Sequence, residues 1–305
     1  MQMNALLIKI LIFIVMIFFG WFGARKKILT AQFSSGASWL LINVFLVATI
    51  ANSIISTDAA RYSVAELGRI LLITTLLMVL MFVLSALAVR ITRIERDKSA
   101  CLELLMALPN SMFFSLPIVE TLYGSEAVFI VAISCIPFNV LNFTYGTARL
   151  AGKGGGFSLK SILSAPLVAT IAASLIFVLR VPVPAGIKSV LSSVAGGTVP
   201  ISMLLVGASL GSVKITKALR DRTMYLLSAM RFVVIPLLVW LLFGLFVPDK
   251  MTLNTLVIIA ASPSAVIVAA LSVRYTGSGE YASEGIFITT LLSLLTIPLT
   301  AMLIV

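Results

Sequence analysis

Histidine is absent from this 305-residue sequence, cysteine occurs twice, and charged residues make up only 11% of it, where a soluble domain carries about 25%. Without histidine the commonest general base, proton shuttle and metal ligand are all missing, so any metal chemistry would rest on carboxylates alone. Cys101 and Cys135 lie far apart inside apolar stretches, which suggests neither a ligand pair nor a disulfide framework, and both read as packing residues. Long hydrophilic segments are lacking too. With 60% of the residues apolar, a soluble domain is excluded, and little chain remains for anything outside a bilayer.

Ten apolar runs fill the chain, at about 4–23, 33–55, 67–89, 101–122, 126–148, 161–179, 188–211, 223–246, 251–273 and 284–304, each near the roughly 20 residues that a bilayer crossing takes. The N-terminal run has no basic n-region and no small-residue cleavage site, and is expected to stay as the first membrane helix. The net charge of +11 comes from 22 Lys and Arg against 11 Asp and Glu. In a membrane protein such an excess sorts to cytoplasmic loops, so nucleic acid is not expected as a partner. Fifteen of the 22 basic residues follow odd-numbered runs, among them Arg25, Lys26, Lys27, Arg90, Arg149, Lys214, Arg222 and Arg274. Six, including Arg61, Arg180 and Lys250, fall on the other side. The positive-inside rule then predicts both termini on the outer side of a plasma (inner) membrane. Lys153-Gly154-Gly155-Gly156 lacks the spacing of a phosphate loop and reads as a flexible hinge.

Residues 151–305 repeat features of residues 1–150. Pro109 in the fourth run corresponds to Pro263 in the ninth, Ile136-Pro137 in the fifth to Ile297-Pro298 in the tenth, and the stretch from Leu41 in the second to that from Pro200 in the seventh. Runs of equal rank match. Five crossings per half are an odd number, so the second half must be inverted relative to the first, as in secondary transporters. The expected fold is all-α and polytopic: ten transmembrane helices in two inverted five-helix repeats.

Pro109 and Pro263 stand mid-run among small polar residues (Asn110, Ser111, Ser262 and Ser264). A mid-helix proline removes a hydrogen bond and clashes one turn back, so both helices are expected to break. Symmetric breaks survive in a bilayer where the freed backbone faces protein or a cavity, and the half-helices beyond them offer N–H groups suited to a carboxylate. Asn43, Ser202, Asn139 and Asn142 are further intramembrane polar candidates for substrate contact, although each alone also serves as interhelical glue. Arg231 lies about nine residues, roughly 13 Å, into the eighth run. At that depth it must meet a substrate anion or clamp carbonyls freed at a helix break, and both roles stay open. Glu103 is a candidate for a coupling proton, but near a helix start it equally complements the dipole. No cofactor or metal motif is present.

Run four with its exit, ALPNSMFFSLPIVETLYG, resembles the Asn-x-x-Phe-x-Gly-x-Pro signature of the auxin efflux carrier family, with Ser115 in place of the glycine. From run nine onward, the Pro-Ser-Ala stretch at 263–265, Ala282-Ser283 and the TLLSLLTIP tail are similar to the same family. The resemblance covers nearly the whole chain. It implies crossed, broken fourth and ninth helices, transport of organic anions, and a substrate pocket at the crossover, carried over here to Pro109, Asn110, Pro263 and Ser264 and, less directly, to Asn43 and Asn139. The short connection between the halves resembles bacterial members, described as malate or malonate permeases, and the resemblance also implies a homodimer. A sodium symporter of the bile-acid class and a membrane ligand sensor are alternatives. The first is disfavoured because no Glu or Gln lies between Met251 and Val273, and the second because no signalling domain fits. An intramembrane enzyme is disfavoured by the missing histidine and the lack of paired carboxylates.

Overall fold

In the computed structural model, which describes residues 2–56, 63–92, 94, 96–152, 163–212 and 221–304, the chain is helical almost throughout. Among the described residues no strand forms, and a single antiparallel bridge pairs Pro109 with Ser264. Among the described residues six helices are long and apolar enough to cross a membrane: Gln32–Ser56, Val64–Thr92, Ser125–Ala151, Ala185–Gly211, Arg222–Gly244 and Gly279–Ile304. Leu11–Arg25, Ala165–Val178 and Lys250–Ala261 are shorter apolar helices. Starts are capped as local chemistry dictates. Thr30, Ser164 and Asp249 accept from the amides of Phe33, Leu167 and Thr252, each satisfying one orphan N–H. The glycine stretch at 153–156 and the basic residues Arg61, Arg93, Lys160, Lys214, Lys217 and Arg220 lie outside the described residues.

Two of the apolar runs are interrupted where prolines fall mid-run. Helix Arg96–Ala107 stops before Pro109, and the chain resumes as a π-turn at Ser111–Ser115 and a helix at Leu116–Tyr123. Helix Lys250–Ala261 stops before Pro263 and resumes at Ile267–Tyr275. Among the described residues three further π-turns occur, at Leu41–Phe45, Asn142–Gly146 and Met230–Val234. Pro117 and Pro236 explain two of the four. Each lacks an N–H for the carbonyl four residues back, Phe113 or Phe232, and its ring crowds that carbonyl, so the turn containing it widens. The four π-turns contain Asn43, Ser111, Asn142 and Arg231, four of the polar residues singled out in the sequence.

Packing divides the chain into two compact units, each drawn from both sequence halves. The first comprises Met1–Thr75, Met112–Asn139 and Lys160–Gly211. Within it the helices Gln2–Arg25 and Thr198–Ser212 meet backbone to backbone: a Cβ on Gly20 would collide with the Leu204 carbonyl, and one on Gly207 with that of Ile17. The small-residue face at Gly207 and Gly211 is therefore used inside the chain. Thr49 and Thr198 share a hydrogen bond of 2.7 Å across a neighbouring helix pair. The second unit comprises Leu76–Ser111, Val140–Leu159 and Ser212–Val305. Here Gly285 lets helix Gly279–Ile304 press on Leu105 and Leu227. The Thr223 and Tyr281 hydroxyls bond at 2.6 Å. Cys101 and Cys135 are buried and free, Cys101 accepting from Ser272.

Candidate functional site

The two helix breaks meet within the second unit, and their geometry follows from what proline cannot do. Asn110 N donates to Pro263 O at 2.8 Å and Ala265 N to Leu108 O at 2.9 Å. These are the two bonds that flank an antiparallel pair whose own amides are not used, so Pro109, which has no N–H, occupies a place where none is needed. Its opposite number, Ser264, has an amide to spare and donates it to Thr289 Oγ1 at 3.1 Å. Two amides just beyond the second break, those of Ser264 and Ala265, are thus already taken by protein acceptors.

Broken helices also leave carbonyls without partners, and the crossover satisfies them one by one. At the end of Arg96–Ala107, Leu104 O accepts from Leu108 N at 2.9 Å, Leu105 O from the Ser264 hydroxyl at 2.6 Å, and Met106 O from Arg231 Nη1 at 2.7 Å. At the end of Lys250–Ala261, Ile258 O accepts from the Ser262 hydroxyl at 2.8 Å and Ile259 O from Ser262 N at 3.3 Å. Ser262 O takes Arg231 Nε at 2.9 Å and also Nη2, which reaches Pro263 O at 3.2 Å.

Arg231 is fully buried and turns four N–H donors onto three carbonyls. Both half-helices end here with the negative ends of their dipoles, so one guanidinium serves two C-termini at once. This is the carbonyl clamp among the two roles open in the sequence. The planar fork suits it, because a lysine ammonium could not hold carbonyls from two helices in one plane.

The remaining residues singled out in the sequence separate into two sets. Pro109, Asn110, Ser262, Pro263, Ser264 and Arg231 form the crossover. Asn142 and Ser111 belong to the same unit and stand apart chemically: Asn142 is 0% exposed with neither Oδ1 nor Nδ2 hydrogen-bonded, and the buried Ser111 hydroxyl also lacks a partner. Asn43, Asn139 and Ser202 lie in the first unit and turn back on their own helices. Asn43 donates to Trp39 O at 2.8 Å, Asn139 to Cys135 O at 2.8 Å, and Ser202 to Val199 O at 2.9 Å. Asn139 also accepts from Ser164 at 3.3 Å.

Glu103, 1% exposed, accepts from the Tyr145 hydroxyl at 2.5 Å and pairs with Arg149 Nε at 2.9 Å. Arg149 in turn donates to Ser99 at 3.2 Å. Thr289, Tyr145 and Arg149 are partners that sequence reasoning missed. Arg149 read as a loop cation; the signal was that Tyr145 and Arg149 stand at the end of the fifth run, level with Glu103 near the start of the fourth. Among the described residues no cluster of three or more carboxylate or thiol groups gathers to hold a metal.

The family described as membrane transport protein matches residues 5–301. An uncharacterized transporter of Methanothermobacter thermautotrophicus is 24% identical over 291 residues, covering 94% of each chain. An uncharacterized transporter of Methanocaldococcus jannaschii is 26% identical over 302 residues, covering 95% of this chain and 96% of its own.

Proposed function

The chain belongs to the membrane transport protein family, of the auxin efflux carrier type, and from that premise we propose that it is a secondary carrier of small mono- or dicarboxylates working by alternating access. In this reading the chain crosses the membrane ten times in two inverted repeats, 1–150 and 151–305, with both termini outside, and the copies associate as a homodimer. The substrate site lies beside the crossover at Asn110, Ser111 and Asn142. The crossover itself, held by Arg231, Ser264 and two backbone bonds, acts as the fixed point around which the helices move.

The observation that carries the site is Asn142. A buried primary amide with neither its donor nor its acceptor bonded costs about 1–3 kcal/mol, and native structures rarely tolerate such groups without a role. Asn142 Nδ2 and the Ser111 hydroxyl are donors suited to a carboxylate oxygen. Chemistry of this kind supports an anion or its hydrated form as the missing partner.

The test is uptake of radiolabelled C2 to C5 mono- and dicarboxylates into proteoliposomes, with and without imposed proton and sodium gradients. At least one acid should accumulate, and Asn142→Leu should abolish its uptake while raising the melting temperature, because the substitution removes an unpaired buried amide. Wild-type uptake by Asn142→Leu would remove Asn142 from the site. Failure of every carboxylate to accumulate would overturn the substrate class.

A further inference from the structure

We propose that the turn joining the first two helices holds one acyl chain of an anionic phospholipid, whose headgroup sits on Arg25, Lys26 and Lys27. A cavity of about 670 Å³ opens there, within the range of about 300–1,000 Å³ usual for small-ligand sites. Phe19, Phe22, Phe33, Leu40 and Leu204 are among its walls, and its lining is almost wholly apolar. Phe33, Gly36 and Leu40 lie on one face of helix Ala31–Leu40 by their spacing, so the groove runs along that helix.

Two further features point to a lipid rather than a bare greasy surface. Glycine inside a helix is unfavourable relative to alanine, yet Gly36 stands mid-helix in the cavity wall, and a Cβ there would meet nothing within 4 Å. No backbone strain and no close packing calls for glycine at this place, whereas an occupying chain would. The second feature is charge at the mouth. Helix Gln2–Arg25 ends at exposed Arg25, and the turn after it carries exposed Lys26 and Lys27, directly followed by Ile28 and Leu29, which line the cavity. Lys26 Nζ lies 5.7 Å from the centre of the Phe22 ring, itself a wall of the cavity, and Arg25 lies 5.9 Å from that of Trp21. Lys27 adopts φ +59°, the left-handed position that glycine usually fills after a helix. Apolar depth topped by three cations complements an acyl chain carrying a phosphate, and a zwitterionic lipid would not use the charge.

Native mass spectrometry of the full-length, delipidated protein, re-equilibrated with phosphatidylglycerol or with phosphatidylcholine, tests this. One phosphatidylglycerol per chain should be retained, and phosphatidylcholine should not. Replacing Lys26 and Lys27 by Gln should weaken retention by about fivefold for each charge removed. The series Gly36→Ala, Gly36→Leu, Gly36→Trp should lose retention in that order as the side chain fills the groove with the charges intact, and helical circular dichroism identifies the variants that fold. Equal retention of both lipids would overturn the proposal, as would unchanged retention in every folded Gly36 variant. A dimer whose contact surface covers Phe33 and Leu40 and excludes lipid would also overturn it.

Discussion

Replacing Arg231 by Gln tests the crossover most directly. Its guanidinium is the partner of Met106 O and of Ser262 O, whereas Pro263 O keeps Asn110 N after the change. Two buried carbonyls are therefore orphaned, at about 1–3 kcal/mol each, or about 2–6 kcal/mol together. Against this stands relief from holding a cation deep in the bilayer, which insertion scales put at about 2.5–3.5 kcal/mol. A glutamine amide can recover one of the lost bonds but not both, because Met106 and Ser262 lie on different half-helices. Because three carbonyls already solvate the Arg231 cation, little of that relief is realised, and the one carbonyl left without a donor sets a net loss of about 1–3 kcal/mol. For a chain of this size that lowers the detergent melting temperature by roughly 2–12 °C. Arg231→Lys should fall between the two, since one ammonium replaces one arm of the fork. The assay is melting with and without a transported acid. Early melting with an intact ligand-induced shift is the expected result. A mutant that melts like wild type and loses the ligand shift would refute the clamp and return Arg231 to direct contact with substrate.

Three other perturbations probe separate parts of the chain. Gly207→Val places a side chain against the Ile17 carbonyl and should cost about 1–3 kcal/mol or more through overpacking, read as a lowered melting temperature; wild-type stability would mean the two helices can part freely. At Asp221, burial raises the carboxyl, but the Thr223 hydroxyl and amide donors together with Lys98, 3.6 Å away, bring it below its usual value. A depressed folded pKa means that its stabilisation is complete above the usual aspartate value, about 3.9, and is lost as the pH falls through the lower folded value, so Asp221→Asn should flatten the acid limb of a melting profile. Single cysteines at 25–27, on a background with Cys101 and Cys135 replaced, should resist an impermeant thiol reagent in intact cells if the basic side faces the cytoplasm, and labelling from outside would reverse the orientation.

Much of this protein is written in local chemistry. Apolar length, mid-run prolines and the family signature around Asn110 and Pro117 are properties of short stretches, and a proline interrupts its helix whatever surrounds it, so both breaks were readable at Pro109 and Pro263. Burial of Arg231 was readable for the same reason, since its depth is set by counting residues along one run. What Arg231 touches was not. Its acceptors lie 31 and 125 residues away, and only the packed register of two half-helices decides that their freed carbonyls converge on one guanidinium. Asn43, Asn139 and Ser202 look equivalent to Asn142 on paper, yet the first three satisfy themselves on the preceding turn of their own helices while Asn142 is left unpaired. Composition cannot separate those outcomes, because an intramembrane amide takes whichever carbonyl the fold leaves within about 3 Å, and that choice belongs to tertiary packing.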